Sequence, residues 1–271
     1  MRQAWPDAWA EDMTVQTELF GFAAGALIAV VTAPVGVSGA VFLLPVQLSV
    51  LGVPSPAVTP TNLLFNVVAG PGALIRHHRQ GSLTGPLTRR LIAGALPGVV
   101  IGAVIRVFAV PGATVFRVLV GLLLLPLGLW LCVRVLRPRR RRPGQPSARF
   151  ITSLALVVGT VGGVYGIGGG SIAGPILVGR GIPVAQVAPA ALASTFLTSV
   201  AGASTYAILS LTAHGDIAPE WSLGLACGLG GLVGGYLGAR LQPRLHETAL
   251  RFGLGLAATA LAVLYLLQAL T

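Results

Sequence analysis

The sequence predicts an all-α polytopic membrane protein built from two inverted repeats, each a glycine-broken helical hairpin followed by three transmembrane helices. The mean hydropathy is +0.85 and charged residues make up only 9% of the chain, against about 25% in a typical soluble domain. Apolar stretches of about twenty residues, enough to cross a bilayer, recur along the chain. Glycine-rich breaks interrupt these stretches at matching places in the two halves, which indicates an internal repeat.

Ten apolar segments follow one another, five in each half of the chain. They span residues 19–35, 38–52, 57–75, 86–107 and 113–134, then 150–165, 169–180, 185–210, 220–239 and 251–270. The predicted domains are an acidic N-terminal tail (1–18), a first transmembrane repeat (19–134), an Arg/Pro-rich linker (135–149) and a second transmembrane repeat (150–271). The tail lacks the basic start of a signal peptide, so we expect no cleavage.

The two halves share more than their hydropathy. The first break runs from Gly36 to Ala40 and the second from Gly166 to Ser171. A proline follows each break, and aligning Pro45 with Pro175 superposes the break glycines. With small gaps, the alignment also pairs Gly52-Val53-Pro54 with Gly181-Ile182-Pro183, and Gly98 and Gly102 with Gly234 and Gly238.

The placement of arginine orients the chain. Five segments per half is an odd number, so the second half must be inverted relative to the first. With the acidic N-terminus outside, the arginines of the linker, of residues 76–85 and 240–251, and Arg180 all fall inside, as the positive-inside rule requires. Arg106 and Arg117 flank an outside turn and are exceptions. We therefore expect a multi-pass protein of the cell (inner) membrane with a cytoplasmic linker.

Two segments are short for a full crossing. Residues 38–52 and 169–180 comprise only 12 to 15 residues, and at about 1.5 Å per residue they fall well under the ~30 Å hydrocarbon core. Each break is therefore either a discontinuity in a crossing helix or the tip of a hairpin that returns to its own side. Hydropathy does not separate the two.

The breaks are also candidate ligand sites. A helix that begins inside the membrane presents unpaired N–H groups and the positive end of its dipole, which suits an anion. The residues at these helix starts are Ser38 and Gly39 in the first half, and Gly168, Gly169, Gly170 and Ser171 in the second. Glycine lets a ligand approach the backbone, and a serine can cap its helix or donate to a ligand. The alternative is that these glycines only let helices cross closely.

Polar side chains cluster in the segment that follows each break. The members assigned to substrate binding are Thr61, Asn62 and Asn66 in the first half, and Ser194, Thr195 and Thr198 in the second. Residues four apart, such as Asn62 and Asn66, share one helix face. Their amide and hydroxyl groups suit the oxygens of a sulfonate or carboxylate. The alternative is that they hydrogen-bond neighbouring helices.

The charges disfavour two classes of function. The net charge of +11 comes from arginines between apolar segments, which indicates membrane topology rather than nucleic-acid binding. No acidic residue or lysine lies deep in a segment, which argues against a proton relay. Glu18, Arg106, Arg117 and Glu220 lie near segment ends, where we expect them to reach the interface.

The chain contains no recognisable motif for catalysis or for a metal. Cys132 and Cys227 lie in apolar segments and are interpreted as buried side chains rather than a disulfide or metal pair. No histidine pair has helical metal-site spacing, and no serine or cysteine has a base in a recognisable motif. We therefore expect no enzyme activity and no cofactor. The expected partners are a small anionic substrate and the lipid bilayer, with no nucleic acid, and we allow for a homodimer.

At these motifs the chain resembles the sulfite exporter TauE/SafE family of membrane transporters. The resemblance runs from Gly21 to about Leu267. It is carried by Gly166–Gly170 with Pro175, Gly181-Ile182-Pro183, Gly36 and Gly39 with Pro45, Gly52–Asn62, and Arg76–Gly81. The first break has less glycine than the family pattern, with Val37, Ser38 and Ala40 in it, so the two halves are not expected to contribute equally.

The resemblance implies a membrane transporter that exports small sulfur-containing anions such as sulfite or organosulfonates. The residues independently predict an anion held between opposed helix N-termini near the bilayer midplane, but no sulfur specificity. A passive anion channel and a non-transporting membrane scaffold are the alternatives.

Overall fold

The structure is a computed structural model that describes residues 7–35, 38–71, 74, 85–110, 112–136, 146–213, 217–241 and 246–268. In these ranges the chain forms ten α-helices of ten or more residues, and none of these residues is in a β-strand. The helices are α1 (Asp7–Val35), α2 (Gly39–Ser49), α3 (Val58–Ala69), α4 (Pro86–Val104), α5 (Ala113–Leu136), α6 (Ala148–Tyr165), α7 (Gly170–Gly179), α8 (Val184–Leu209), α9 (Trp221–Leu241) and α10 (Glu247–Gln268).

Seven of these helices are long and apolar enough to cross a membrane: α1, α4, α5, α6, α8, α9 and α10. Helices α2 and α3 are apolar but shorter. Large apolar side chains such as Leu19, Leu27 and Leu267 are exposed on the outermost helices, as expected of surfaces that face lipid rather than water. The predicted all-α polytopic class is confirmed.

The ends of several helices differ from the predicted segments. Helix α1 begins at Asp7, so much of the predicted tail continues the first helix, whose apolar span is Val15–Ala33. Helix α4 continues into a π-helical turn at Ile105–Ala109. Helix α6 begins beside Ser147, whose hydroxyl accepts a hydrogen bond from the Phe150 N–H at 3.2 Å. Three predicted features lie outside the described residues: most of the linker, the Arg76–Gly81 turn and the Gly36-Val37 pair.

Each break is the tip of a helical hairpin. In the second half, the Arg180 guanidinium carbon lies 4.3 Å from the ring centre of Phe150, so α7 ends where α6 begins. In the first half, Gly39 at the start of α2 lies beside Phe65 near the end of α3, and a short connector joins the other ends of these helices. Helix α2 is therefore antiparallel to α3.

Helix α3 is parallel to α9, because Gly224 meets Leu64 and Gly228 meets Val68. Helix α9 is parallel to α1, so α2 is also antiparallel to α1. The structure decides the question that hydropathy leaves open: both short helices return toward the end from which their partner comes.

The long helices pair through glycines spaced four residues apart. In α9 these are Gly230, Gly234 and Gly238, and in α4 they are Gly94, Gly98 and Gly102. A methyl group at any of them would overlap backbone carbonyl oxygens of α1 or α6, respectively. The contacts rise in residue number on both partners, so α1 is parallel to α9 and α4 is parallel to α6. Small residues thus set a backbone-to-backbone approach that no side chain allows.

The remaining pairs match between the two halves. Helix α3 packs against α9, and its counterpart α8 packs against α4. The counterparts α3 and α8 also contact each other, as do α5 and α10. In α5 and α10 the contacts run in opposite order, from Gly121 against Ala262 to Gly128 against Gly255, so this pair is antiparallel. This arrangement supports the predicted inverted relation, which stays a prediction.

Candidate functional site

The second break is a tight turn of left-handed glycines. Gly166 and Gly168 have φ angles of 74° and 73°, values that side chains other than glycine rarely adopt. The Gly166 N–H closes α6 by donating to the Gly162 carbonyl at 2.8 Å, and α7 begins four residues later. Every residue from Gly162 to Gly170 is buried. The break therefore lies inside the protein, as irregular backbone at membrane depth requires.

Protein atoms occupy the space above these glycines. A methyl group on Gly166 would overlap the Thr59 carbonyl oxygen, and one on Gly170 would overlap the Ala191 carbonyl oxygen. One on Gly169 would lie 2.7 Å from the Ala95 side chain. In this conformation the glycines let neighbouring helices pack closely against the break. Close helix packing is the alternative to a ligand site that the sequence left open.

The first break differs in character. Ser38 precedes α2 in an extended conformation, and its side chain makes no capping hydrogen bond. Gly39 has more room than the glycines of the second break, because a methyl group there would lie 3.4 Å from both Phe65 and Thr32. Ser38 and Gly39 are both half-buried. The lower glycine content of the first break predicted that the two breaks contribute unequally. The structure shows that they differ in packing, since the first break is less crowded than the second.

One face of α3 contacts both breaks. The Asn62 side-chain amide donates to the Ala40 carbonyl in the first turn of α2 at 2.9 Å. The Asn66 amide donates to the Gly166 carbonyl at 3.3 Å, and the Asn62 Cβ lies 3.2 Å from where a Gly166 methyl would stand. Asn62 is fully buried. The predicted shared face of Asn62 and Asn66 therefore bridges the two halves.

The hydroxyls of α8 face the start of α7. Thr198 Oγ1 accepts from the Gly169 N–H at 2.9 Å and donates to the Ser194 carbonyl at 2.6 Å. Thr195 lies directly against Gly168 and Gly170. Ser199, which is not among the predicted site residues, has its Oγ 3.1 Å from the position of a Gly168 methyl. Three consecutive glycines, Gly168 to Gly170, are thus packed against one face of α8.

Two predicted site residues have local roles instead. Thr61 Oγ1 donates to the Ala57 carbonyl at 2.7 Å and accepts from the Glu220 N–H at 2.9 Å, so it ties α3 to the start of α9. Ser171 Oγ donates to the Ile167 carbonyl within its own turn. Among the described residues, neither hydroxyl forms a hydrogen bond with the break of the other half.

Three buried polar groups around the site have no hydrogen-bond partner among the described residues. They are Asn62 Oδ1, Ser194 Oγ and Ser199 Oγ. All three side chains are fully buried. A buried polar atom without a partner costs about 1–3 kcal/mol. A polar ligand or ordered water that bonded these atoms would therefore stabilise the protein.

Arg106 is buried rather than at the interface. Its exposed fraction is 0%, which contradicts the expectation that its charge reaches water. The guanidinium donates to Thr59 Oγ1 at 3.3 Å, to the Val110 carbonyl and to Ser55 Oγ. Sequence reasoning missed this role because a basic residue near a segment end usually extends outward. Arg117, by contrast, is half-buried and Glu220 is exposed.

The described residues contain no group of three or more histidine, cysteine or acidic side chains that could hold a metal. Cys132 and Cys227 are both free thiols, and Cys227 is buried. His77, His78 and His214 lie outside the described residues, and His246 is exposed.

An apolar cavity of about 430 Å³ lies beside the second break. Ile167 from the break and Val41 from the first turn of α2 line one part of it. Helices α5 and α7 supply the rest of the wall, and Arg180 is the single charged residue in the lining.

Fold and site together define a multi-pass helical membrane protein whose two broken hairpins meet on a shared polar helix. The family model of the sulfite exporter TauE/SafE matches residues 21–265, so the chain belongs to that family. It is 25% identical over 252 residues to the "Probable membrane transporter protein YjnA" of Bacillus subtilis (strain 168), a match that covers 89% of this chain and 94% of that protein. No solved structure matches the chain. The family resemblance is confirmed, and the chain is a membrane transporter.

Proposed function

We propose that this transporter exports small sulfur-containing anions, such as sulfite or organosulfonates, and binds them where the two breaks meet. The observation that carries the proposal is the pair of buried, unpartnered hydroxyls of Ser194 and Ser199. The third unpartnered atom, Asn62 Oδ1, can only accept a hydrogen bond and suits ordered water rather than an anion's oxygen. The two serine hydroxyls can donate to an anion's oxygens. Asn62 lies beside the start of α2, and Thr195 and Thr198 lie against the start of α7. The positive dipole end of each short helix therefore lies beside a polar helix face.

Alternating access follows from the same architecture. Beside the second break, the repeats are joined by side-chain hydrogen bonds from Asn66 to the Gly166 carbonyl and from Thr59 to the Val164 carbonyl. Movement of one repeat against the other would break and remake these bonds around a fixed site. We propose that the N-terminus is outside and the linker cytoplasmic, so that the arginines gather anions on the side from which export begins.

The proposal is tested by flux of labelled sulfite and short alkanesulfonates in proteoliposomes. We expect saturable flux that is accelerated by substrate on the opposite side. Flux that does not saturate and shows no counter-transport would identify a passive channel. No flux of any anion would favour the scaffold alternative and contradict the proposal.

The binding site is tested by Asn62→Asp. This change keeps the side chain's size but places a negative charge between the breaks, so we expect at least a tenfold loss of anion flux, in line with the several kcal/mol cost of a buried like charge. Gly169→Leu is a poorer test, since even a methyl there would crowd Ala95. Thr259→Val is a matched control, because Thr259 Oγ1 bonds only the Gly255 carbonyl of its own helix. Normal flux in a well-folded Asn62→Asp protein would rule out this site.

A further inference from the structure

The apolar cavity has the shape of a slot between two helices. Its α5 wall consists of Leu123, Pro126, Leu127 and Trp130, and its α7 wall consists of Ile172, Pro175, Ile176 and Arg180. Both sets follow the three- and four-residue spacing of a single helix face. From Ile172 to Arg180 the slot is about 12 Å long, at about 1.5 Å per residue.

The slot has one polar end. Arg180 follows the last residue of α7, and its exposed guanidinium stacks on Phe150. No carboxylate of the described chain pairs with it, so its charge is available to a ligand. Ile167 and Val41, next to the start of α7 and α2 respectively, line the part of the slot away from Arg180.

The slot's contents should match its walls. A volume of about 430 Å³ lies in the range of sites for small organic molecules, roughly 300–1,000 Å³. Sulfite, a single sulfur atom with three oxygens, would leave most of this space empty and would gain nothing from apolar walls. A hydrocarbon chain would fill it and bury apolar surface, which is favourable for each methylene added.

We propose that the slot binds organic anions with an apolar body, such as alkanesulfonates of several carbons, with the anionic group at Arg180 and the chain directed toward Ile167. This inference rests on the proposed anion transport and adds to it a second binding site, separate from the one between the breaks, for anions that carry an apolar chain. The slot reaches the break at Ile167, so a ligand there lies next to the site where the two hairpins meet.

A chain-length series tests this inference. Ethane-, butane- and hexanesulfonate are titrated against the full-length protein in lipid nanodiscs by calorimetry, with sulfite as the short limit. We expect the Kd to fall about three- to fourfold per added methylene, which is the fold-change equivalent of ~0.8 kcal/mol. Hexyltrimethylammonium, which has the same chain length and the opposite charge, controls for partitioning into the lipid.

Two variants locate the ligand. Ile176→Trp fills the slot and should abolish the chain-length dependence while short anions still bind. Arg180→Gln should weaken every alkanesulfonate about tenfold, whereas Arg240→Gln, an exposed arginine outside the slot, should not. If Ile176→Trp does not fold, Arg180→Gln with its control still decides where the anionic group lies.

The contrary outcomes are distinct. Sulfite binding as tightly as hexanesulfonate, with flux intact, would overturn this inference and leave the transport proposal standing. Absence of both binding and flux for every anion would overturn the transport proposal itself. A phospholipid that copurifies, is not displaced by hexanesulfonate and is unaffected by Arg180→Gln would show that the slot holds lipid, and would also overturn the inference.

Discussion

Arg106 joins three separate segments of the chain at the end of α4. Its guanidinium contacts the start of α3 through Thr59, the preceding connector through Ser55, and the ring of Phe116 in α5 at 3.9 Å. Thr59 in turn donates to the Val164 carbonyl at 3.1 Å, in the last turn of α6. A single buried cation therefore connects both repeats close to the second break. The planar fork of arginine suits this task, since it donates in several directions at once.

Replacement of Arg106 by lysine tests this structural role. Lysine keeps the charge but cannot bridge the same set of oxygens, so we expect Arg106→Lys to lower the free energy of unfolding by about 1–3 kcal/mol. Arg117→Lys is the matched control, because Arg117 is only half-buried and its Nε has no partner among the described residues. Unfolding in detergent by heat or denaturant measures both variants, and equal stability would contradict the bridging role.

At the scale of the helices, the second break is shaped by what packs onto it. Thr59 and Asn66 from α3 and Tyr206 from α8 donate to the carbonyls of Val164, Gly166 and Gly163. These carbonyls lie at the end of α6, where the helix itself leaves acceptors unpaired. The polar face of α3 therefore donates hydrogen bonds to the unpaired carbonyls at the end of α6. On the same face, Asn62 Oδ1 remains an acceptor without a partner among the described residues.

Alanine substitution separates the two reasons for glycine at the break. Gly166 and Gly52 both have positive φ, but a methyl on Gly166 overlaps the Thr59 carbonyl whereas nothing lies within 4 Å of one on Gly52. We expect Gly52→Ala to cost about 1 kcal/mol from backbone strain alone, and Gly166→Ala to cost at least 1 kcal/mol more. The measurement is the unfolding midpoint of the purified variants. Similar values would mean that α3 moves aside without cost.

For the whole molecule, the direction of each helix follows from its pairing. Helix α8 is parallel to α4, since Leu91 clusters with Val187 and Ala103 with Tyr206, and α4 is parallel to α6. The start of α6 and the end of α8 are therefore at opposite ends of the molecule. The fold establishes this relative arrangement, and the positive-inside rule predicts which end is cytoplasmic.

Cysteine labelling tests that orientation. With Cys132 and Cys227 replaced by alanine, single cysteines are introduced at the exposed positions Ala148 and Ala218. We expect a membrane-impermeant maleimide to label Ala218→Cys in intact cells and Ala148→Cys only after permeabilisation. The reverse pattern would invert the proposed topology without changing the fold, and labelling of both from outside would contradict the helix directions.

The sequence by itself determined the membrane class and most helix boundaries, such as the predicted 169–180 against α7 at Gly170–Gly179. A bilayer constrains the length and the polarity of each crossing segment separately, so the membrane class and the helix boundaries can be predicted from short stretches of sequence. Only the tertiary structure decided that both short helices turn back, that Arg106 is buried, that neighbouring backbone fills the space over the break glycines, and that a slot ends at Arg180. Those outcomes depend on contacts between residues that are distant in sequence, such as Thr59 and Val164, 105 positions apart. The hydropathy of a single segment does not specify which other helix it packs against.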